Sequence, residues 1–140
     1  MSTPQWSNEI SVFSPEIDAE HRELLRVAED LRQAVCGGAD AAQASQKARA
    51  LLAEMEDHFA SEERQMKSAH YSGVGWHKGQ HDGIRKRGAA LEEAAAHGDR
   101  KAVLEFVKYL REWLVGHVAV ADRMMASHMR NHERARGQGS

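Results

Sequence analysis

Apolar residues recur every three or four positions in four separate segments of this chain. In the first segment the row consists of His21, Leu24, Leu25, Ala28, Leu31 and Val35. This spacing places the residues on one face of an α-helix, whereas strand-like alternation is absent from the sequence. Because two of the three connections are very short, consecutive helices must run antiparallel. The sequence therefore predicts an all-α, up-down-up-down antiparallel four-helix bundle.

Turn and capping signals set the expected ends of the four helices. The predicted helices cover about residues 18–35, 40–68, 76–96 and 100–117. Asp18 and Asp99 are the expected N-caps of the first and fourth helices. Glycines follow the first and third helices, as is common at helix C-termini.

The two ends of the chain carry weaker patterns. Residues 1–17 contain both prolines and no helical period, so an irregular N-terminal arm is expected there, held against the bundle by Trp6 and Phe13. The segment of about residues 131–140 is charged and contains glycine, which predicts a frayed, flexible tail. The whole chain, residues 1–140, is long enough for a single domain with a buried core.

Composition argues against several classes of protein. The net charge is −2 and the isoelectric point is near 6.5, so the basic stripe typical of nucleic-acid binding is absent. No stretch approaches the roughly 20 apolar residues of a membrane span, and no signal peptide is visible, so a cytoplasmic protein is expected. The single cysteine, Cys36, excludes an internal disulfide and a Cys-x-x-Cys zinc motif. The nine histidines of this short chain need an explanation.

Seven polar residues continue the inward-facing rows at one pole of the predicted bundle. They are His21, His58, Glu62, His77, His81, His117 and Asp122. His58 and Glu62 are four positions apart and share one helix face, as do the two histidines of the third helix. Buried polar groups need partners, and a metal satisfies imidazoles and carboxylates better than hydrogen bonds among themselves would. The set therefore indicates a metal site.

The fourth helix must be irregular if this set is complete. His117 and Asp122 are five positions apart, which is about 140° off one face of a regular helix. Either the helix distorts there or Asp122 follows its end. A π-type bulge is a common distortion at functional sites.

Seven ligands exceed what one ordinary ion accepts. Two octahedral ions that share a pair of bridging carboxylates and one solvent oxygen leave six terminal positions, of which the five histidines fill five. One position remains for a small exogenous ligand. Imidazole-rich sites with bridging carboxylates suit iron better than zinc or manganese.

The remaining histidines and the leucine rows are expected to be ordinary structure. His70, His97, His128 and His132 are interpreted as surface or packing residues. The core is expected to contain Leu31, Leu51, Leu91 and Leu110. The same interpretation fails for the seven inward residues, because separate helices would have to place such side chains at one pole by chance.

The seven residues lie within motifs that resemble those of the hemerythrin family, including its single-domain bacterial members. The matching motifs are Ile17-Asp18-Ala19-Glu20-His21, His58-Phe59-Ala60-Ser61-Glu62-Glu63 with Met66, His77-x-x-x-His81 and Trp113-Leu114-x-x-His117-x-x-x-x-Asp122. Their order and spacing are kept over about residues 6–122. Two departures are Glu20, where the family often has glutamine, and Ser72, where it often has proline.

The resemblance implies a non-heme di-iron centre, with a bridging oxo or hydroxo group, that binds dioxygen reversibly. His77, His81 and His117 would hold one iron. His21 and His58 would hold the second iron, which keeps the open position. The two acids, Glu62 and Asp122, would bridge the pair.

By position in the family, an apolar pocket for dioxygen is also implied. Its lining would be Leu24, Phe59, Trp113, Leu114 and Val118. An apolar lining admits a nonpolar gas, excludes water and offers no acid to break the O–O bond.

The expected function is that of an oxygen carrier, store or sensor rather than an enzyme, with dioxygen as partner and nitric oxide as a further candidate. The alternative is a di-iron redox enzyme, such as an oxidase, a peroxidase or a nitric-oxide-handling protein. Oxygen-activating bundles of the ferritin type use Glu-x-x-His pairs, and none occurs here. A third possibility is a bundle in which metal only holds the helices together.

Three glycines recur at helical spacing on the third helix: Gly75, Gly79 and Gly83. Each should weaken that helix by about 1 kcal/mol relative to alanine. Either they are tolerated locally or allow close helix packing, or the smooth strip gives a partner or the gas closer access to the site.

Overall fold

The computed structural model describes residues 15–138, and every regular element in that range is helical. The elements are α1 (Pro15–Cys36), α2 (Ala41–Ser68), α3 (Val74–Gly88), α4 (Leu91–Ala96), α5 (Arg100–His117), a π-helical segment (Val118–Asp122) and α6 (Arg123–Gln138). α1, α2, the α3–α4 pair and the α5–α6 pair form the four arms of a helical bundle. The predicted fold class is confirmed.

The first helix begins earlier than predicted. It starts at Pro15, because proline lacks the N–H that would be unpaired at the first helical position. Asp18 therefore is not the N-cap but lies buried in the first turn, and residues 15–17 belong to the helix rather than to the arm. The remainder of the predicted arm, with Trp6 and Phe13, lies outside the described residues.

The ends of α1 and α2 follow the sequence signals. Gly38 adopts a positive φ of 85°, which stops α1 at little cost because glycine has no Cβ. At the start of α2 the Gln43 N–H donates to the Asp40 carboxylate over 2.8 Å, and the Asp40 N–H donates to the Gln43 side chain over 3.3 Å. This reciprocal pair satisfies two backbone donors that the helix leaves unpaired.

The third arm is two helices rather than one. α3 ends at Gly88, a turn covers Ala89 and Ala90, and α4 begins at Leu91. Gly88 is buried, and a Cβ on it would lie 3.0 Å from the Leu52 Cδ2 atom. The turn lets α4 place Leu91 and Ala95 in the core against α2. Packing therefore overrides the continuous helical period of the sequence.

The fourth arm does not end at His117. The chain passes from α5 through the π-helical segment into α6, which continues to Gln138, so the predicted frayed tail is wrong for residues 131–138. Buried Met125 and Ala126 attach α6 to the core, and the following residues contain the helix formers alanine, arginine and glutamate. The irregularity predicted between His117 and Asp122 is confirmed.

The core runs through the inward rows of all four arms. Leu31, Leu51 and Leu110 are fully buried and Leu91 is 3% exposed, as predicted. Burial of each leucine side chain contributes about 2 kcal/mol, so these rows hold the helices in register. None of the helices within residues 15–138 has the length and apolar character needed to cross a membrane. The cytoplasmic location stays a prediction.

Candidate metal centre

Seven titratable side chains converge at one pole of the bundle, deep in the protein. Each is at most 4% exposed. They are His21 from α1, His58 and Glu62 from α2, His77 and His81 from α3, His117 from the end of α5 and Asp122 from the π-helical segment. The structure thus brings together all seven residues that the sequence singled out.

The seven side chains form two overlapping groups. One group contains Glu62, His77, His81, His117 and Asp122, with one ligand atom of each within 4.8 Å of the others. The second contains His21, His58, Glu62 and Asp122, by the same measure. The two carboxylates are common to both groups, so the arrangement can hold two cations that share Glu62 and Asp122. The groups are unequal, with three histidines in one and two in the other.

The π-helical segment brings Asp122 to the centre. In a regular helix Asp122 would point about 140° away from His117. With the π-helical turn between them, the His117 Nε2 atom lies 2.7 Å from the Asp122 Oδ1 atom. The opposite Asp122 oxygen, Oδ2, lies 3.1 Å from the His21 Nε2 atom, so this carboxylate faces both groups.

Three of the histidines are oriented by a partner on their outer nitrogen. The Nδ1 atom of His58 lies 2.9 Å from Glu20, that of His81 lies 2.8 Å from Glu63, and that of His117 lies 2.7 Å from Gln80. Each partner offers an oxygen acceptor, so Nδ1 carries the hydrogen and Nε2 presents a lone pair to the centre. This is the tautomer that a metal ligand requires.

The sequence reasoning did not find these outer partners, although a signal was available. Each of them is the immediate chain neighbour of a predicted ligand: Glu20 precedes His21, Glu63 follows Glu62 and Gln80 precedes His81. A polar residue beside a ligand on a helix points about 100° away from it, toward the adjacent helix, where it can meet the ligand of that helix.

Many polar atoms at the centre have no hydrogen bond in the described part of the chain. They are Nε2 of His21, His58 and His77 and both carboxylate oxygens of Glu62 and of Asp122. Several lie at short distances, such as 2.8 Å from His77 Nε2 to Asp122 Oδ1, but without hydrogen-bond geometry. In addition, His81 Nε2 faces His117 Nε2 at 3.2 Å. Leaving so many buried groups unpaired is costly, and cations between them would satisfy all of them. The residues present therefore fit a metal centre.

The carboxylates and imidazoles at the centre shift one another's pKa values. Burial would raise the pKa of both Glu62 and Asp122, and for Glu62 the charge of Asp122 adds to this effect. Contacts with the surrounding imidazoles outweigh these causes and hold both pKa values below the ordinary range. Although burial opposes protonation of His77, its contacts with the two carboxylates raise its pKa to about 9. Burial lowers the pKa of His117. The carboxylates are thus ionised, which is the form that binds a cation.

Buried apolar side chains lie next to the histidines in the chain or one helical turn from them. Leu24, Phe59, Leu114 and Val118 are at most 1% exposed, and Trp113 is half-buried. The Phe59 ring stacks on the His81 imidazole with centroids 4.2 Å apart, and the Trp113 ring stacks on the His117 imidazole at 4.4 Å. The two aromatic residues of the predicted pocket therefore contact imidazoles of the centre, whereas the pocket itself stays a prediction.

The other four histidines lie outside both groups. His97 is exposed, and its Nδ1 atom lies 2.9 Å from the Glu93 carbonyl oxygen. His128 contacts the Ala69 carbonyl oxygen through Nε2 at 2.8 Å. The remaining two are an exposed residue, His70, and a half-buried one, His132.

Four helical arms around a buried cluster of histidines and carboxylates define a metal-binding helical bundle. Residues 12–133 match the family described as "Hemerythrin HHE cation binding domain". The chain belongs to the hemerythrin family, as its sequence motifs predicted.

Individual relatives are similar over most of their length. A bacteriohemerythrin of Ralstonia nicotianae is 32% identical over 127 residues, which is 91% of this chain and 89% of the relative. A myohemerythrin of Theromyzon tessulatum is 29% identical over 118 residues, 84% of this chain and 87% of the relative. A crystal structure of a wild-type hemerythrin superposes with a TM-score of 0.82 at 22% identity, covering 91% of this chain and 98% of that one. This structural likeness establishes the fold.

Proposed function

We propose that this protein binds dioxygen reversibly at a centre of two iron ions. The observation that carries the proposal is the unequal division of the donors, with three histidines in one group and two in the other around the shared carboxylates. An unequal division supports one filled metal position and one with room for an exogenous ligand. The names of the relatives, myohemerythrin and bacteriohemerythrin, agree with this reading.

The proposed ligands follow the two groups. His77, His81 and His117 would hold one iron. His21 and His58 would hold the other, and the two shared carboxylates would be available to both. When bound, the irons supply a redox-active pair with one position open to a diatomic molecule.

The chain's own residues keep this position selective. Leu24, Phe59, Leu114 and Val118 are buried apolar residues next to a histidine of the centre or one helical turn from it, and the apolar lining that we propose for them favours a nonpolar gas over water. Apart from the two carboxylates proposed as ligands, this lining contains no acid that could deliver a proton to a bound molecule. Binding without bond cleavage, rather than an oxidase or peroxidase reaction, is therefore the proposed activity.

Iron analysis and an oxygen-dependent absorption spectrum test the proposal. The protein is loaded with iron, reduced without oxygen and then exposed to air. We expect two irons per chain and a coloured adduct that disappears when oxygen is removed and returns when it is restored. Rapid irreversible oxidation with turnover of an added reductant would favour the di-iron enzyme instead. A spectrum that does not respond to oxygen would leave only a structural role for the metal.

A further inference from the structure

The outer partners of three proposed ligands differ in charge. His117 faces the neutral amide oxygen of Gln80, whereas His58 and His81 face the carboxylates of Glu20 and Glu63. A carboxylate on Nδ1 makes an imidazole a stronger donor to a metal than an amide does. The effect of a carboxylate's negative charge on the histidine that it contacts therefore depends on whether a cation offsets that charge.

The charge of Glu63 is offset in part by Arg85, a cation that Glu63 shares with Glu56 and Asp82. Its carboxylate oxygens lie 2.8 Å and 3.3 Å from the guanidinium nitrogens of Arg85. Burial raises the pKa of Glu63, but its bonds to Arg85 and His81 outweigh this and lower it, so the group is a carboxylate with a cation beside it. His81 consequently faces an ion pair.

The charge of Glu20 is not neutralised. Within residues 15–138 no lysine or arginine forms an ion pair with Glu20, whose contact is with His58 Nδ1 at 2.9 Å. The surroundings are acidic as well, since burial and the nearby charges of Glu23, Asp57 and Glu20 itself raise the pKa of Glu54. The Glu20 side chain is 34% exposed, so solvent weakens its field but does not remove it.

His58 belongs to the smaller group of donors, which contains two histidines. A metal there depends more on each donor than a metal in the larger group. We propose, on the basis of the proposed di-iron function, that Glu20 is a positioning residue that orients His58 and favours the ferric state of the iron bearing the open position. The two effects of Glu20 can be separated, because its hydrogen bond orients His58 whereas its negative charge favours ferric iron.

Glu20→Gln separates them, since glutamine keeps an oxygen acceptor for His58 and removes the charge. In the iron-loaded protein we expect the equilibrium ratio of ferric to ferrous iron at a given potential to fall about tenfold. This corresponds to a rise of about 59 mV in the one-electron reduction potential. Glu20→Ala removes both effects, and metal affinity at this position should also fall by about 10-fold to 100-fold. Gln80→Glu is the reciprocal change, adding charge beside His117, and should lower the potential.

Glu23→Gln is the matched control. Glu23 lies on the same face of α1 about one turn from Glu20, and is ion-paired with Arg26 at 2.6 Å. The Glu23→Gln substitution removes the same formal charge as Glu20→Gln, at a residue that has no contact with a histidine in the part of the chain that the structure describes. We expect a much smaller potential shift than for Glu20→Gln. Equal shifts in the two variants would overturn the proposal, because the effect would then be one of net charge.

Nitrogen-15 NMR of the histidine rings in the zinc-loaded protein gives a readout that does not involve iron. The hydrogen on His58 Nδ1 should be retained in Glu20→Gln and lose its protection from solvent exchange in Glu20→Ala. An unchanged His58 signal in Glu20→Ala would also refute the positioning role. Failure of the wild-type protein to take up two irons would instead refute the proposed function, so the two failures are distinguishable.

Discussion

Replacing two glycines of α3 by alanine should stabilise this protein. Gly79 and Gly83 are exposed interior residues of α3, and a Cβ at either position would meet no atom within 4 Å. Close helix packing therefore does not explain them. Alanine restricts the unfolded chain at each position and costs nothing in the folded helix, so each substitution should add about 1 kcal/mol to the free energy of unfolding.

The double variant should therefore gain about 2 kcal/mol, because the added methyl group at each position extends into open space. For a domain of this size that corresponds to a rise of about 7 °C in the melting temperature. The gain should appear in chemical denaturation of the metal-free protein as a higher midpoint with an unchanged slope. Iron content should be unchanged, because His77 and His81 face the opposite side of the helix.

Two other glycines serve as controls in the same assay. Gly38→Ala places a side chain at a φ of 85° and should cost about 1 kcal/mol or more. Gly88→Ala brings a Cβ to 3.0 Å from Leu52 and should cost stability through crowding. A double variant of Gly79 and Gly83 that is no more stable than wild type would refute the argument from helix propensity. That result would favour a role of the glycines in access of a partner or of the gas to the site. Changed rates of oxygen binding and release in the variant would then reveal that role.

Three further results follow from the centre. His117→Ala should lose iron, as measured by metal analysis, whereas His97→Ala should keep it; loss of iron in the second variant would mean that the ligands are wrongly assigned. Below about pH 9 a metal must displace the proton that the carboxylates hold on His77. Metal affinity, measured by chelator competition, should therefore rise by up to about tenfold per pH unit from about pH 7 and level off above about pH 9. An affinity that does not change with pH would contradict this. Deleting Val120 should turn the π-helical segment into a regular helix in which His117 and the following acid are four positions apart on one face, so circular dichroism should show retained helix and iron stoichiometry should be unchanged; loss of iron would show that the π-helical turn itself is needed to place the acid.

The features that the sequence predicted are those that depend on residues repeating at helical spacing. The four arms follow from apolar spacing, and the seven centre residues follow because they continue those rows at one pole. The irregularity after His117 was also predictable, since a five-residue step to Asp122 does not fit a regular helix. Each of these depends on the position of a residue along its own helix.

Features that depend on contacts between helices were not predictable. The break at Ala89 and Ala90 has no proline to mark it and arises because α4 turns to pack on α2. The continuation through α6 depends on the burial of Met125 against the bundle, which the charged sequence beyond it conceals. Likewise, the link between Glu63 and Arg85 joins two helices by long side chains whose reach the sequence does not specify.

The contribution of all four arms to the centre has a consequence for the order of events during protein synthesis. Asp122 is common to both groups and is the last of the seven to leave the ribosome, about a hundred residues after His21. A nascent chain that ends before Asp122 lacks one donor that both metal positions share. Complete metal loading therefore requires that nearly the entire bundle has been made. Metal captured at that stage binds the folded chain and not its precursors, and at a free concentration of 100 times its dissociation constant it would add about 2.7 kcal/mol to stability. A metal that uses both carboxylates would therefore stabilise the completed bundle and not a truncated chain.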